Sequence, residues 1–163
     1  MTRASKVFDL ADSGVTEALG RALARALPAA VHQESVVLYL QGDLGAGKTT
    51  CVRSLLRELG VAGLVRSPTY TLVETYRAAE LICIHVDLYR LQALSEVEEL
   101  GLRDSVGPGC LLLVEWPEQG GAALPAADLN LCLRYAGDAR QAHLAAMTPR
   151  GEEWLDNLDT TLA

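Results

Sequence analysis

Lysine is nearly missing from this chain. Lys6 and Lys48 are the only two in 163 residues, and arginine supplies the rest of 14 basic side chains set against 21 acidic ones. The net charge is −7 and the isoelectric point about 4.9. A protein that grips DNA or RNA unaided presents a basic face to neutralise phosphates; this composition argues against DNA as a partner, and any work on RNA is expected to pass through a partner protein. Long hydrophobic runs are also lacking. VVLYL (Val36–Leu40) and CLLLV (Cys110–Val114) are strand-sized, far short of the ~20 apolar residues that cross a bilayer. The opening MTRASKVFDLADSG has no apolar core of the kind that marks a secretion signal, so a cytoplasmic location without membrane attachment is expected by default. No Cys-x-x-Cys pair occurs: Cys51, Cys83, Cys110 and Cys132 are irregularly spaced, three of them in apolar runs, as reduced core thiols are. Neither an internal repeat nor a linker is visible, and one domain over residues 1–163 is expected.

What is present suits a packed interior: 50% hydrophobic and 21% charged residues. Val7–Leu10 reads as an edge strand. Ser13 to Leu27 carries apolar residues at helical spacing, with Ser13 or Thr16 as the cap and Pro28 as the stop. Val36–Gln41 is a near-continuous apolar strand of the kind covered on both faces, and Thr49–Leu59 a helix closed by Gly60. Thr71–Tyr76 and Leu81–Val86 flank a short polar link and predict a hairpin. Ser95, with Glu98 three residues on, opens like a capped helix. Cys110–Glu115 is a second buried strand, and Gly120–Ala127 a loop. Leu129–Tyr135 and Ala142–Met147 form a closing pair of strands, followed by a helix over Pro149–Leu158. The sum is a three-layer α/β fold with a mixed, mostly parallel sheet.

Between the first buried strand and its helix stands Gly-x-x-x-x-Gly-Lys-Thr, Gly42 to Thr49. Glycines at 42, 45 and 47 allow the positive φ that turns successive N–H groups inward into an anion-binding nest, and the helix that begins near Lys48 adds its positive dipole end. Lys48 is placed to reach the β- and γ-phosphates and the Thr49 hydroxyl to ligate Mg²⁺. A glycine-rich turn can spell the same pattern by accident. Here a buried strand precedes it, an amphipathic helix follows, and one of two lysines fills the required slot.

A phosphate loop of this kind needs a carboxylate at the end of a buried strand. Asp87 after LICIHV and Glu115 after CLLLV both qualify, and either also fits an ordinary polar strand terminus. The run before Glu115 is shorter and wholly apolar, as expected of a strand beside the phosphate-loop strand. Glu115 is therefore assigned to magnesium, and Asp87 to the γ-phosphate side. In SPTYT, Ser67 to Thr71, Pro68 pushes Ser67 toward extended backbone and three hydroxyls precede a strand, which suits either a γ-phosphate sensor or a plain strand entry. HVDLYR is likewise dense in functional side chains, although His85 also fits a satisfied half-buried histidine and Arg90 a solvated surface charge.

GDLGAGKTT, SPTYTLVETY, HVDLYRL, ELGLRD and VEWPEQG, in that order, resemble the TsaE (YjeE) family of bacterial P-loop ATPases, over roughly Gly14 to Tyr135. The resemblance implies a P-loop ATPase fold required for threonylcarbamoyladenosine in tRNA, at the adenosine next to the anticodon. It implies ATP phosphates at Gly45, Ala46, Gly47, Lys48, Thr49 and Thr50, with Mg²⁺ held by Thr49 and Glu115. It implies roles in catalysis for Lys48, Thr69, Asp87 and Glu115, with Trp116 beside the last, and an adenine site near Ser13 and a late loop at Ala139–Arg140. It further implies a TsaD–TsaB complex as partner, reset between turnovers by ATP hydrolysis, with tRNA contacted only through it.

Three other readings compete. A small-molecule or nucleotide kinase needs a second substrate pocket and an arginine-rich lid, whereas Arg53, Arg57, Arg66, Arg77, Arg90 and Arg103 are scattered along the chain. A GTPase is disfavoured because no Asn-Lys-x-Asp element occurs. A nucleotide-gated binding module would use ATP to order the SPTYT and HVDLYR loops without turnover.

Overall fold

The computed structural model describes residues 3–158, 161 and 162. Seven strands form one sheet: β1 Ser5–Leu10, β2 Val36–Gly42, β3 Val73–Ala78, β4 Leu81–Asp87, β5 Cys110–Glu115, β6 Leu129–Ala136 and β7 Ala139–Ala146. Their spatial order is β1-β7-β6-β2-β5-β4-β3. The inner four, β6-β2-β5-β4, run parallel, and the outer pairings are antiparallel. The expected mixed sheet with a parallel core is thus found, and β5 lies directly beside β2 while β4 lies one strand further out.

Period-two alternation sorts the strand side chains into two layers. Val36, Leu38 and Leu40 of β2, with Leu111 and Leu113 of β5, pack under helices α1 (Ser13–Arg25), α2 (Lys48–Leu59) and α5 (Pro149–Asn157). Val37, Leu112 and Val114 join the opposite layer under the short helices α3 (Leu94–Glu99) and α4 (Leu102–Ser105). Both faces being covered is why these strands are apolar throughout; each fully buried leucine contributes roughly 1.5–3 kcal/mol. Trp154, wholly buried, donates its indole N–H to the Leu23 carbonyl at 3.0 Å and ties α5 to α1.

Several boundaries differ from expectation for local reasons. The cap of α1 is Asp12, whose extended backbone lets its carboxylate accept from Val15 N at 3.1 Å; Ser13 is the first helical residue and Thr16 is buried inside. Helix α3 starts at Leu94, before Ser95, because Glu96 reaches back to accept from the amides of Gln92 and Ala93 at 2.9 and 3.0 Å. The β3–β4 hairpin begins at Val73 and not Thr71, since Leu72 adopts φ +66° and its amide donates to the Pro68 carbonyl. Strand β7 begins three residues early, so Ala139 and Arg140 open a strand and the turn itself is Gly137–Asp138. The stretch 120–127 contains a 3₁₀ turn at Gly121–Ala123.

Candidate functional site

Parallel strands β2, β4 and β5 all point their C-terminal ends at one edge of the sheet, the place where open α/β sheets bind ligands. The loop from Gly42 leaves β2 there and enters α2 at Lys48. Gly42 has φ +146°, and a Cβ on it would approach the Leu133 carbonyl to 2.5 Å; Gly47 has φ +109° as the residue before the helix. Tyr135 donates its hydroxyl to the Leu44 carbonyl at 2.7 Å, which pins the loop's crest to β6.

Lys48 is folded onto this loop. Its ammonium donates to the carbonyls of Gly42 and, at 2.9 Å, of Asp43, and it sits 4.3 Å from the centre of the Trp116 ring. Binding a phosphate would exchange those carbonyls for phosphate oxygens. Burial lowers the Lys48 pKa from its usual value, opposed by the charges of Glu115 and Asp87. Trp116 holds a left-handed backbone, φ 58°, immediately after Glu115, a conformation that costs a bulky residue on the order of 1–3 kcal/mol. Its amide donates to the Leu40 carbonyl at 3.2 Å, and the Tyr89 ring packs against its ring at 5.0 Å with a 45° tilt.

Glu115 ends β5 almost fully buried. Both its carboxylate oxygens accept from the Thr49 hydroxyl, at 3.0 and 3.1 Å, and Oε2 meets His85 Nε2 at 2.6 Å. The other ring nitrogen, His85 Nδ1, is buried with no partner. Asp87 stands opposite Glu115 in the β4–β5 register. Its Oδ1 accepts from Tyr89 N at 3.0 Å, and burial raises its pKa above the ordinary carboxylate value.

Lys48, Thr49, Thr50, Thr69, Asp87 and Glu115 all line one cavity of about 290 Å³, together with Ser67, Tyr89, Arg90 and Trp116. The hydroxyls of Ser67 and Thr69 lie 2.6 Å apart. Ser13, Ala139 and Arg140 line a neighbouring cavity of about 170 Å³ on the far side of the loop, which shares Gly45, Gly47 and Thr50 with the first and includes Ala46. Arg140 lies over the Tyr135 ring at 3.9 Å. Every residue assigned from the sequence to catalysis, phosphate, magnesium or adenine therefore borders one of two adjoining cavities.

One expectation about an individual residue needs correcting. His85 is fully buried against Glu115, not half-buried; its spacing of two from Asp87 on one strand, which puts both on the same face, was the available signal. Arg90 is exposed, as expected of a solvated charge, and it also lines the first cavity and lies over the Tyr70 ring at 4.5 Å. Leu44, Asp12 and Thr16 also line these cavities and carried no signal beyond proximity to the motif.

The donor set suits magnesium. Thr49 and Glu115 are hard oxygen donors that converge within hydrogen-bond distance, and among the described residues no group of three or more His, Cys, Asp or Glu side chains could hold a metal. A cation bound there would complete its shell with water and substrate oxygens, as Mg²⁺ characteristically does. Among the described residues no helix is long and apolar enough to cross a membrane.

A family model described as "Threonylcarbamoyl adenosine biosynthesis protein TsaE" matches residues 10–142. The tRNA threonylcarbamoyladenosine biosynthesis protein TsaE of Haemophilus influenzae is 45% identical over 120 residues, covering 74% of this chain and 76% of its own. The proteins of the same description from Synechocystis sp. and Bacillus subtilis are 42% and 38% identical, over 73% and 69% of this chain and 74% and 70% of theirs. A crystal structure of Bacillus subtilis YdiB superposes with a TM-score of 0.75 at 27% identity, covering 96% of this chain and 95% of that one.

Proposed function

We propose, from the premise that this chain belongs to the TsaE family of tRNA threonylcarbamoyladenosine biosynthesis proteins, that it binds Mg²⁺ and ATP and hydrolyses the γ-phosphate. The single observation that carries this reading is convergence. Lys48 and Thr49 from the glycine loop and the carboxylates of Asp87 and Glu115 from two parallel strands border one cavity.

In this reading the loop amides and Lys48 neutralise charge that develops on the transferring phosphoryl group. Thr49 and Glu115 would hold magnesium, which when bound supplies further neutralisation of the β- and γ-oxygens. Asp87 faces the same space with a raised pKa, suited to orient an attacking water and accept its proton; Glu115, held by Thr49 and His85, is already committed. Ser67 and Thr69 would contact the γ-phosphate side, and Ser13, Ala139 and Arg140 the adenine.

The proposed partner is a TsaD–TsaB complex, with hydrolysis resetting it between turnovers and tRNA contacted through it. Leu44 and Tyr70, at or beside the first cavity, are 59% and 83% exposed, apolar surface of the kind a partner covers. The net charge of −7 agrees with a protein that leaves the RNA to others.

The test is phosphate release from ATP, with and without purified TsaD–TsaB, alongside mass spectrometry of added metabolites. Mg²⁺-dependent release that rises with the complex is expected. No heat on titrating ATP into folded protein would overturn the reading, and a phosphorylated metabolite would turn it into a kinase.

A further inference from the structure

Helices α1 and α2 touch where Gly20 meets Ser54. A Cβ at Gly20 would lie 1.9 Å from Ser54 Oγ and 2.4 Å from the Cys51 carbonyl. So close a crossing brings outward side chains of both helices to one cleft of about 240 Å³, where Arg21 of α1 faces Arg53 and Arg57 of α2. Arginines scattered in the sequence are thereby gathered. Arg53 and Arg57 are four residues apart, on one face of α2.

The charge balance of the cleft is unusual for this protein. Glu58 lines it but is already paired with Arg25 at 3.1 Å, which leaves Glu17 as the acid not so engaged. Among the described residues, Arg21, Arg53 and Arg57 make no ion pair and no side-chain hydrogen bond. Three uncommitted guanidinium groups around one cavity stand out in a chain of net charge −7.

We infer that this cleft binds a phosphate group, separate from the one held by the glycine loop. Guanidinium forks match phosphate oxygens in pairs. A cleft of about 240 Å³ has room for one phosphate or a pyrophosphate. Thr50 lines this cleft and both cavities of the candidate site, so the anion would lie next to the bound nucleotide; that adjacency, unlike the cleft itself, rests on the proposed function. An RNA backbone and a free phosphate offer the same oxygens, and experiment separates them.

The protein is loaded with Mg²⁺ and a non-hydrolysable ATP analogue, with saturation verified by calorimetry. Pyrophosphate is then titrated in one arm and a fluorescent anticodon stem-loop RNA in the other, at low salt. Should the analogue not saturate, which counts against the proposed function and not the cleft, the same titrations on Lys48→Ala isolate the cleft. Binding of either probe is expected, weakened about tenfold or more by Arg53→Ala and by Arg57→Ala, the loss of one charge-assisted contact each, with analogue affinity unchanged. RNA that binds and is displaced by pyrophosphate identifies a backbone phosphate; pyrophosphate binding without RNA binding identifies a free one. Absence of binding by both probes, or binding indifferent to both substitutions, overturns the inference.

Discussion

His85 Nε2 lies 2.6 Å from Glu115 Oε2, with the two side chains 1% and 2% exposed. The contact fixes one oxygen of the carboxylate that the Thr49 hydroxyl also reaches. A buried carboxylate stripped of its partner retains its full desolvation cost. His85→Ala is therefore expected to destabilise the protein by about 3 kcal/mol, read as a lowered urea midpoint with unchanged slope. A midpoint equal to wild type would show that the pair contributes nothing.

Glu115→Ala separates the metal from the nucleotide. The substitution removes the acid that completes the Thr49 donor pair, while the loop amides and Lys48 stay in place. Calorimetry with ATP is expected to show binding that no longer strengthens when Mg²⁺ is added, and phosphate release reduced by about a hundredfold or more. The circular dichroism spectrum should remain native. Wild-type turnover in this variant would reassign the metal ligand.

Lys48→Ala removes the one ammonium in the glycine loop. Because burial already lowers the Lys48 pKa, the folded protein carries this charge at a cost, and the substitution is expected to leave ligand-free stability intact or improve it. Affinity for ATP should fall by about a hundredfold or more, the consequence of losing a charge-assisted contact to phosphate in a partly dry site. Unchanged affinity in an equilibrium titration would count against the phosphate assignment.

The central strands were legible because burial on both faces writes an uninterrupted apolar run, as at Val36–Leu40 and Cys110–Val114. The glycine loop was legible because its backbone demands small residues at fixed spacing. Less readable were features set by single contacts: Asp12 rather than Ser13 as a cap, Glu96 reaching back over α3, and the early start of β7 at Ala139. The site shows the same division. Asp87 and Glu115 stand at strand ends where pattern predicts acids, whereas the burial of His85 against Glu115 depends on β4 lying beside β5, a pairing that local sequence does not encode. The grouping of Arg21 with Arg53 and Arg57 likewise depends on the approach of two helices at Gly20.

Asp87 gives the site a pH signature. Burial raises its carboxyl pKa above the ordinary 3.8, with the Tyr89 amide, which donates to Oδ1, partly opposing the shift. A group whose folded pKa is raised favours folding fully below its unfolded value, and that contribution is lost as pH climbs through the folded pKa. Asp87→Asn stays neutral throughout and retains an oxygen to accept from Tyr89. Ligand-free Asp87→Asn should therefore melt at a higher temperature than wild type at pH 7, and the gap should close as pH is lowered toward 3.8. The same variant should lose phosphate release while still binding ATP, because a carboxamide cannot accept the proton of the attacking water. Melting curves of the two proteins across that range decide the electrostatic half of the argument: a gap that widens on acidification would mean that Asp87 stabilises the fold as a charged group.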